Sequence, residues 1–217
     1  MEDDRDRSAA IAGFVFVVLF LVMALLPGAP PKASDRASEV ADWVADQGRQ
    51  IRWAGFAGGL AMVPFVFWLV AVMDRVRGST AQGRRLAQTA ALGGVAGMLM
   101  ASTAAVLLGV MAIVGPTGSA DADSMRTLYV TGNNLGFMSL FGLALMLAGT
   151  SLAAMKSQAL PTWLNRCALG VAVLGLFAGA ATASTRDVFA IVGLIAFVGI
   201  LVWVVVVSAL MLRPAAD

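Results

Sequence analysis

The chain has 217 residues, 59% of them hydrophobic, with a mean hydropathy of +0.85. That is too apolar for a water-soluble domain and about the size of one membrane bundle. Only 13% of residues are charged and the formal net charge is +2, too weak a positive balance for a nucleic-acid partner. Histidine is absent and cysteine occurs once, which removes histidine-ligated haem and zinc, an intrachain disulfide and dithiol redox chemistry. No cofactor or metal is expected, and the single Cys167, set in an apolar run, reads as a small core residue.

A membrane-spanning helix needs about 20 apolar residues at a rise of 1.5 Å each. Six stretches qualify: 9–26, 51–73, 86–115, 131–155, 163–182 and 188–212. The expected fold is therefore all-α, a single polytopic bundle of six transmembrane helices. The leading MEDDRDR is mainly acidic, and no small-x-small cleavage site precedes Pro27, Pro30 and Pro31. The first stretch therefore reads as an uncleaved span rather than a secretory signal. The third stretch exceeds what a bilayer requires, and the fifth, rich in Ala and Gly, is the weakest.

Between the first two spans, Ala37, Val40, Val44 and Ile51 recur at helical spacing with Trp43 beside them. With Ser34 as N-cap, they predict a short amphipathic helix over about 34–47 that lies on the outer surface or lids the bundle, with Gly48 as the bend into span two. Within span two, Pro64 lacks the amide hydrogen and predicts a kink. Glycines four apart recur at Gly55 and Gly59, Gly93 and Gly97, Gly132 and Gly136, and Gly175 and Gly179. That spacing allows close backbone approach between helices.

Orientation follows from Lys and Arg beside the spans. Arg5, Arg7, Arg75, Arg77, Arg84, Arg85, Lys156, Arg166 and Arg213 put nine basic residues on one side. The other side has six, four of them in a segment that also holds Asp35, Glu39, Asp42 and Asp46. Both termini are expected in the cytoplasm of a bacterium, with the chain in its inner membrane.

No Asp, Glu, Lys or Arg lies at mid-depth in any span, which argues against a proton-coupled pump or cation channel. Hydroxyls such as Ser102, Thr103, Ser139, Thr150 and Ser151 can each bond their own backbone four residues earlier. The sequence holds no phosphate-cradling glycine motif, nucleophile elbow or metalloprotease helix. Polar groups gather instead at the outer ends of the spans. Arg52 and Trp53 open span two; Arg126, Tyr129, Asn133 and Asn134 lead into span four; Arg186 and Asp187 turn into span six.

Two readings of that cluster stand side by side. Arg52, Trp53, Arg126, Asn133, Asn134 and Arg186 could bind a lipid or other lipophilic molecule, the arginines taking an anionic head group. Asp187 with Tyr129, Asn133 or Asn134 could act as acid and base in a cofactor-free enzyme of the cyclase or isomerase type on an apolar substrate. The competing structural account makes Asn133 a cap of span four, Ser184 and Asp187 a capping box for span six, and Trp53 and Tyr129 part of an interfacial aromatic belt. A small transporter hinged at Pro64 is a third possibility. Expected partners are membrane lipids, with a lipophilic small molecule or a partner helix.

The outer helix before span two, the Arg-bearing inner loop, the GNNLGF opening of span four and LPTWLNRCALGVAVLG at span five together resemble a family of uncharacterised bacterial six-helix membrane proteins. That resemblance implies an integral membrane bundle. It supplies no established activity and no catalytic residues.

Overall fold

The computed structural model describes residues 2–32, 34–115, 120–183 and 187–213. Among these residues all regular structure is helical. The helices are α1 (Glu2–Leu25), α2 (Ala37–Val76), α3 (Ala81–Val114), α4 (Ala122–Ser157), α5 (Thr162–Gly179) and α6 (Asp187–Met211), with a 3-10 turn at Ala180–Ala183 after α5. Six helical stretches are long and apolar enough to cross a membrane, including the Ala- and Gly-rich fifth.

Neighbours in sequence pack as neighbours in space, and α6 returns to α1. Arg5 pairs with Asp74 at 2.6 Å and Asp6 with Arg75 at 2.9 Å, which puts the start of α1 beside the end of α2. Lys156 donates to Gln82 at 2.7 Å, bringing the end of α4 to the start of α3. Phe20 stacks near Phe197, and Gly13 faces Ser208, so α6 runs antiparallel to α1. Both terminal helices therefore begin or finish at one end, termed here the terminal end. The ion pairs there are partly exposed and contribute at most about 1 kcal/mol each.

The separate outer helix expected over 34–47 does not form. α2 starts at Ala37, behind Arg36 rather than Ser34, and continues for 40 residues, about 60 Å, through both Gly48 and Pro64. The stripe Val40, Val44, Gly48, Ile51 stays in phase and is buried along its whole length. It packs on Met111 and Ala112 of α3 and on Met125 and Tyr129 of α4. A glycine costs a helix only about 1 kcal/mol, less than this stripe gains by burial. Because α3 and α4 also overshoot, the bundle extends past α1 and α5 at the end opposite the termini.

The closest helix contact is between α3 and α4. A Cβ placed on Gly142 would come 2.5 Å from the Gly97 nitrogen and 2.6 Å from the Gly93 oxygen. Gly93 and Gly97 thus act as expected, but their counterpart is Gly142, which the four-residue spacing does not single out. Gly59 and Gly136 face open space, so two of the expected glycine pairs are not both used in packing. The deep core of the terminal half is built on Phe65, Trp68, Met98, Met146 and Trp203. Cys167 is exposed on α5 and is not a core residue; Leu164 and Ala168, about 60° and 100° around the helix from it, face inward instead.

Candidate functional site

The loop between α1 and α2 crosses the end of the bundle opposite the termini as a strap. Its composition explains why it is tied by side chains. Pro27, Pro30 and Pro31 cannot donate amide hydrogens, and Gly28 turns the chain at φ +70°, so the strap offers carbonyls with no ladder to join. Trp43 of α2 donates its indole hydrogen to the Pro27 carbonyl at 3.2 Å. Tyr129 of α4 donates its hydroxyl hydrogen to the Pro31 carbonyl. Arg126, one turn earlier, donates from Nε to the Asp35 carbonyl at 3.0 Å. The Trp43 and Tyr129 rings meet edge-on at 5.8 Å.

Beneath the strap is a cavity of about 350 Å³ between α1, α3, α4 and α6, within the range typical of small-molecule sites. Its walls are mostly apolar, with Phe20, Leu108, Leu140 and Phe197 among them, and none of the described residues lining it is charged. Polar side chains enter at few points: Trp43 and Tyr129 near the strap, Asn133 one turn below, and Ser139 deeper. Gly132 and Gly136 line the wall beside Asn133, and a Cβ on Gly136 would touch nothing within 4 Å. Gly136 thus leaves space for the cavity, whereas Gly132 also packs on α3, where its Cβ would stand 3.4 Å from the Ala104 carbonyl oxygen. From Asn133 to Leu143 the wall descends α4 by about 15 Å. Leu194 of α6 both lines the cavity and is 62% exposed on the bundle surface, so the α6 wall continues into the outer surface of the bundle.

Asn133 is the group with unused capacity. Its amide carries two donor hydrogens and an acceptor oxygen, and no described residue hydrogen-bonds to it. Tyr129 has spent its donor on Pro31, and Ser139 donates to the Gly136 carbonyl at 2.6 Å. Thr103 and Thr150 bond back to Leu99 and Met146, whereas the Ser102 and Ser151 hydroxyls are buried without partners.

The polar cluster expected from the sequence is divided by the fold. Tyr129 and Asn133 line the cavity. Asn134, the next residue along α4, is half-buried and does not. Arg126 holds the strap from above. Arg52 and Trp53 sit in a different, open groove with Arg49 and Phe56. Asp187 opens α6, but its side chain lies outside the described residues, as do Ser184 and Arg186. The structural accounts of two residues also change. α4 starts at Ala122 behind an Asp121 cap, so Asn133 is inside the helix and caps nothing. Tyr129 is buried against the strap and is not part of an exposed aromatic belt.

Trp43, Ser139 and the proline strap were not anticipated as site residues. The signal available for them was the PGAPP sequence, whose carbonyls need donors from elsewhere. Among the described residues no three Cys, Asp or Glu side chains gather as they would around a metal ion. No family model, curated protein or solved structure matches the chain, so the resemblance to uncharacterised six-helix proteins rests on its short motifs alone.

Proposed function

We propose that this multi-pass membrane protein binds an uncharged lipophilic small molecule in the cavity beneath the strap. The observation that carries the reading is the cavity's composition: an apolar shaft with no charged side chain among the described lining residues and an unpartnered Asn133 amide near its top. The Asn133 amide is half-buried and lines the cavity, so a hydroxyl or carbonyl on the ligand would gain a hydrogen bond worth about 0.5–1.5 kcal/mol there. An ionised head group would meet no counter-charge among the described lining residues and would lose its hydration. The nine-to-six distribution of basic residues supports placing both termini in the cytoplasm and the strap outside, in a bacterial inner membrane.

The test is organic extraction of the purified protein followed by mass spectrometry. A neutral amphiphile should accompany the wild type in near-stoichiometric amount and be lost from Gly136→Phe, whose side chain would fill the cavity from a position with free space. Identical extracts from both proteins would refute the reading. Asp187→Asn separates binding from catalysis: binding predicts an unchanged extract, whereas an enzyme using that carboxylate would accumulate unconverted substrate.

A further inference from the structure

The groove holding Arg52 and Trp53 lies apart from the cavity. Residues 49, 52, 53 and 56 follow one another at helical spacing, so Arg49, Arg52, Trp53 and Phe56 share one face of α2 and together line the groove. Both arginines are exposed, and among the described residues neither guanidinium is ion-paired. Asp46 shares the adjoining hollow with them but forms no ion pair to either. Trp53 and Phe56 meet edge-on at 6.0 Å and are 60% and 61% exposed. Below them the same face continues as Leu60, Val63 and Phe67, all exposed.

The depth of this face is set by charge. From Arg52 to Asp74, α2 carries no charged residue over 53–73, a span of about 32 Å at 1.5 Å per residue. That matches a hydrocarbon layer of about 30 Å. Asp74 and its ion pairs mark one boundary of the layer, so Arg52 marks the other. Arg49 stands one turn further out, at head-group height. Trp53 and Phe56 then lie where aromatic residues settle at the interface, and the stripe below them runs alongside acyl chains.

We infer that this face of α2 binds an anionic glycerophospholipid, its phosphate held by Arg49 and Arg52 and one acyl chain laid along Trp53, Phe56 and Leu60. Two guanidiniums one turn apart can donate to separate phosphate oxygens. The indole and phenyl rings cover the glycerol and upper chain. A zwitterionic lipid offers the same phosphate but brings its own cation, which competes for it.

Brominated lipids test this through tryptophan quenching. In a Trp163→Phe background Trp53 is the indole most exposed to lipid, since Trp68 and Trp203 are buried and Trp43 is half-buried. The protein is reconstituted over the same series of mole fractions of dibromoacyl phosphatidylglycerol or dibromoacyl phosphatidylcholine. Brominated phosphatidylglycerol should quench Trp53 at lower mole fraction, and Arg49→Gln with Arg52→Gln should abolish the difference. The expected loss is about fivefold per arginine, the equivalent of roughly 1 kcal/mol each. Arg49→Lys with Arg52→Lys should retain most of the preference. Equal quenching by the two lipids in the parent protein would overturn the assignment, and so would a phosphatidylglycerol preference that survives in the double glutamine variant.

Discussion

Tyr129 and Pro31, 98 residues apart in sequence, are joined by a hydrogen bond from the tyrosine hydroxyl to the proline carbonyl. Together with Trp43 on Pro27, that bond fixes the strap over the cavity. Tyr129→Phe keeps the ring contact with Trp43 but leaves the Pro31 carbonyl without its donor. The expected cost is about 1 kcal/mol of stability. Limited proteolysis should cut the strap faster in the variant, while cleavage of the loop between α2 and α3 should be unchanged.

The α3–α4 contact makes a sharper prediction because it involves backbone against backbone. Gly142→Ala would place a methyl group against the Gly97 nitrogen and the Gly93 oxygen, which cannot retreat as a side chain can. A loss of about 1–3 kcal/mol is expected from overpacking. Gly59→Ala meets nothing within 4 Å and should be neutral or slightly stabilising through helix propensity. Thermal unfolding of both variants in the same detergent checks the contrast.

Asp121 caps α4 by accepting from the Ser124 amide at 2.7 Å. That backbone bond first, and the Ser124 hydroxyl second, hold its carboxyl below the ordinary 3.8. A group whose folded value is depressed contributes stability above its ordinary value and loses it as pH falls through the lowered one. Amide-exchange protection in the first turn of α4 should therefore be constant near neutral pH and fall in acid below the usual carboxylate range. Asp121→Ala should show the weaker protection at every pH, with the acid-dependent step gone.

Orientation is checked by single cysteines in a Cys167→Ala background. Gly28→Cys, on the strap, should react with a membrane-impermeant maleimide in intact cells. Gly78→Cys, between α2 and α3, should react only after the membrane is opened. Labelling of both from the same side would remove the proposed topology.

The spans were legible because each is a continuous run of apolar residues long enough for a bilayer, a constraint written locally in the sequence. The extended α2 was not, because Gly48 looks like a break until α3 and α4 are seen packing on the stripe across it. The same limit applies to the glycines. Spacing marks Gly132 and Gly136 as a packing pair, yet only Gly132 meets α3 while Gly136 faces an opening, and the tightest contact uses the isolated Gly142. Spacing within one helix does not specify how far its neighbour is shifted along the axis. Asn133 and Asn134 show the finer point: adjacent residues diverge by about 100° around a helix, so only one of the two amides faces the cavity.

The central claim is that an uncharged molecule occupies the bundle beneath the strap. Photolabelling with an uncharged alkyl diazirine alcohol, followed by peptide mass spectrometry, addresses it most directly. The account predicts adducts on the stretch of α4 from Asn133 to Leu143, diminished in Gly136→Phe. Adducts confined to outward-facing positions such as Phe67 and Leu92, with the α4 stretch unlabelled, would contradict it.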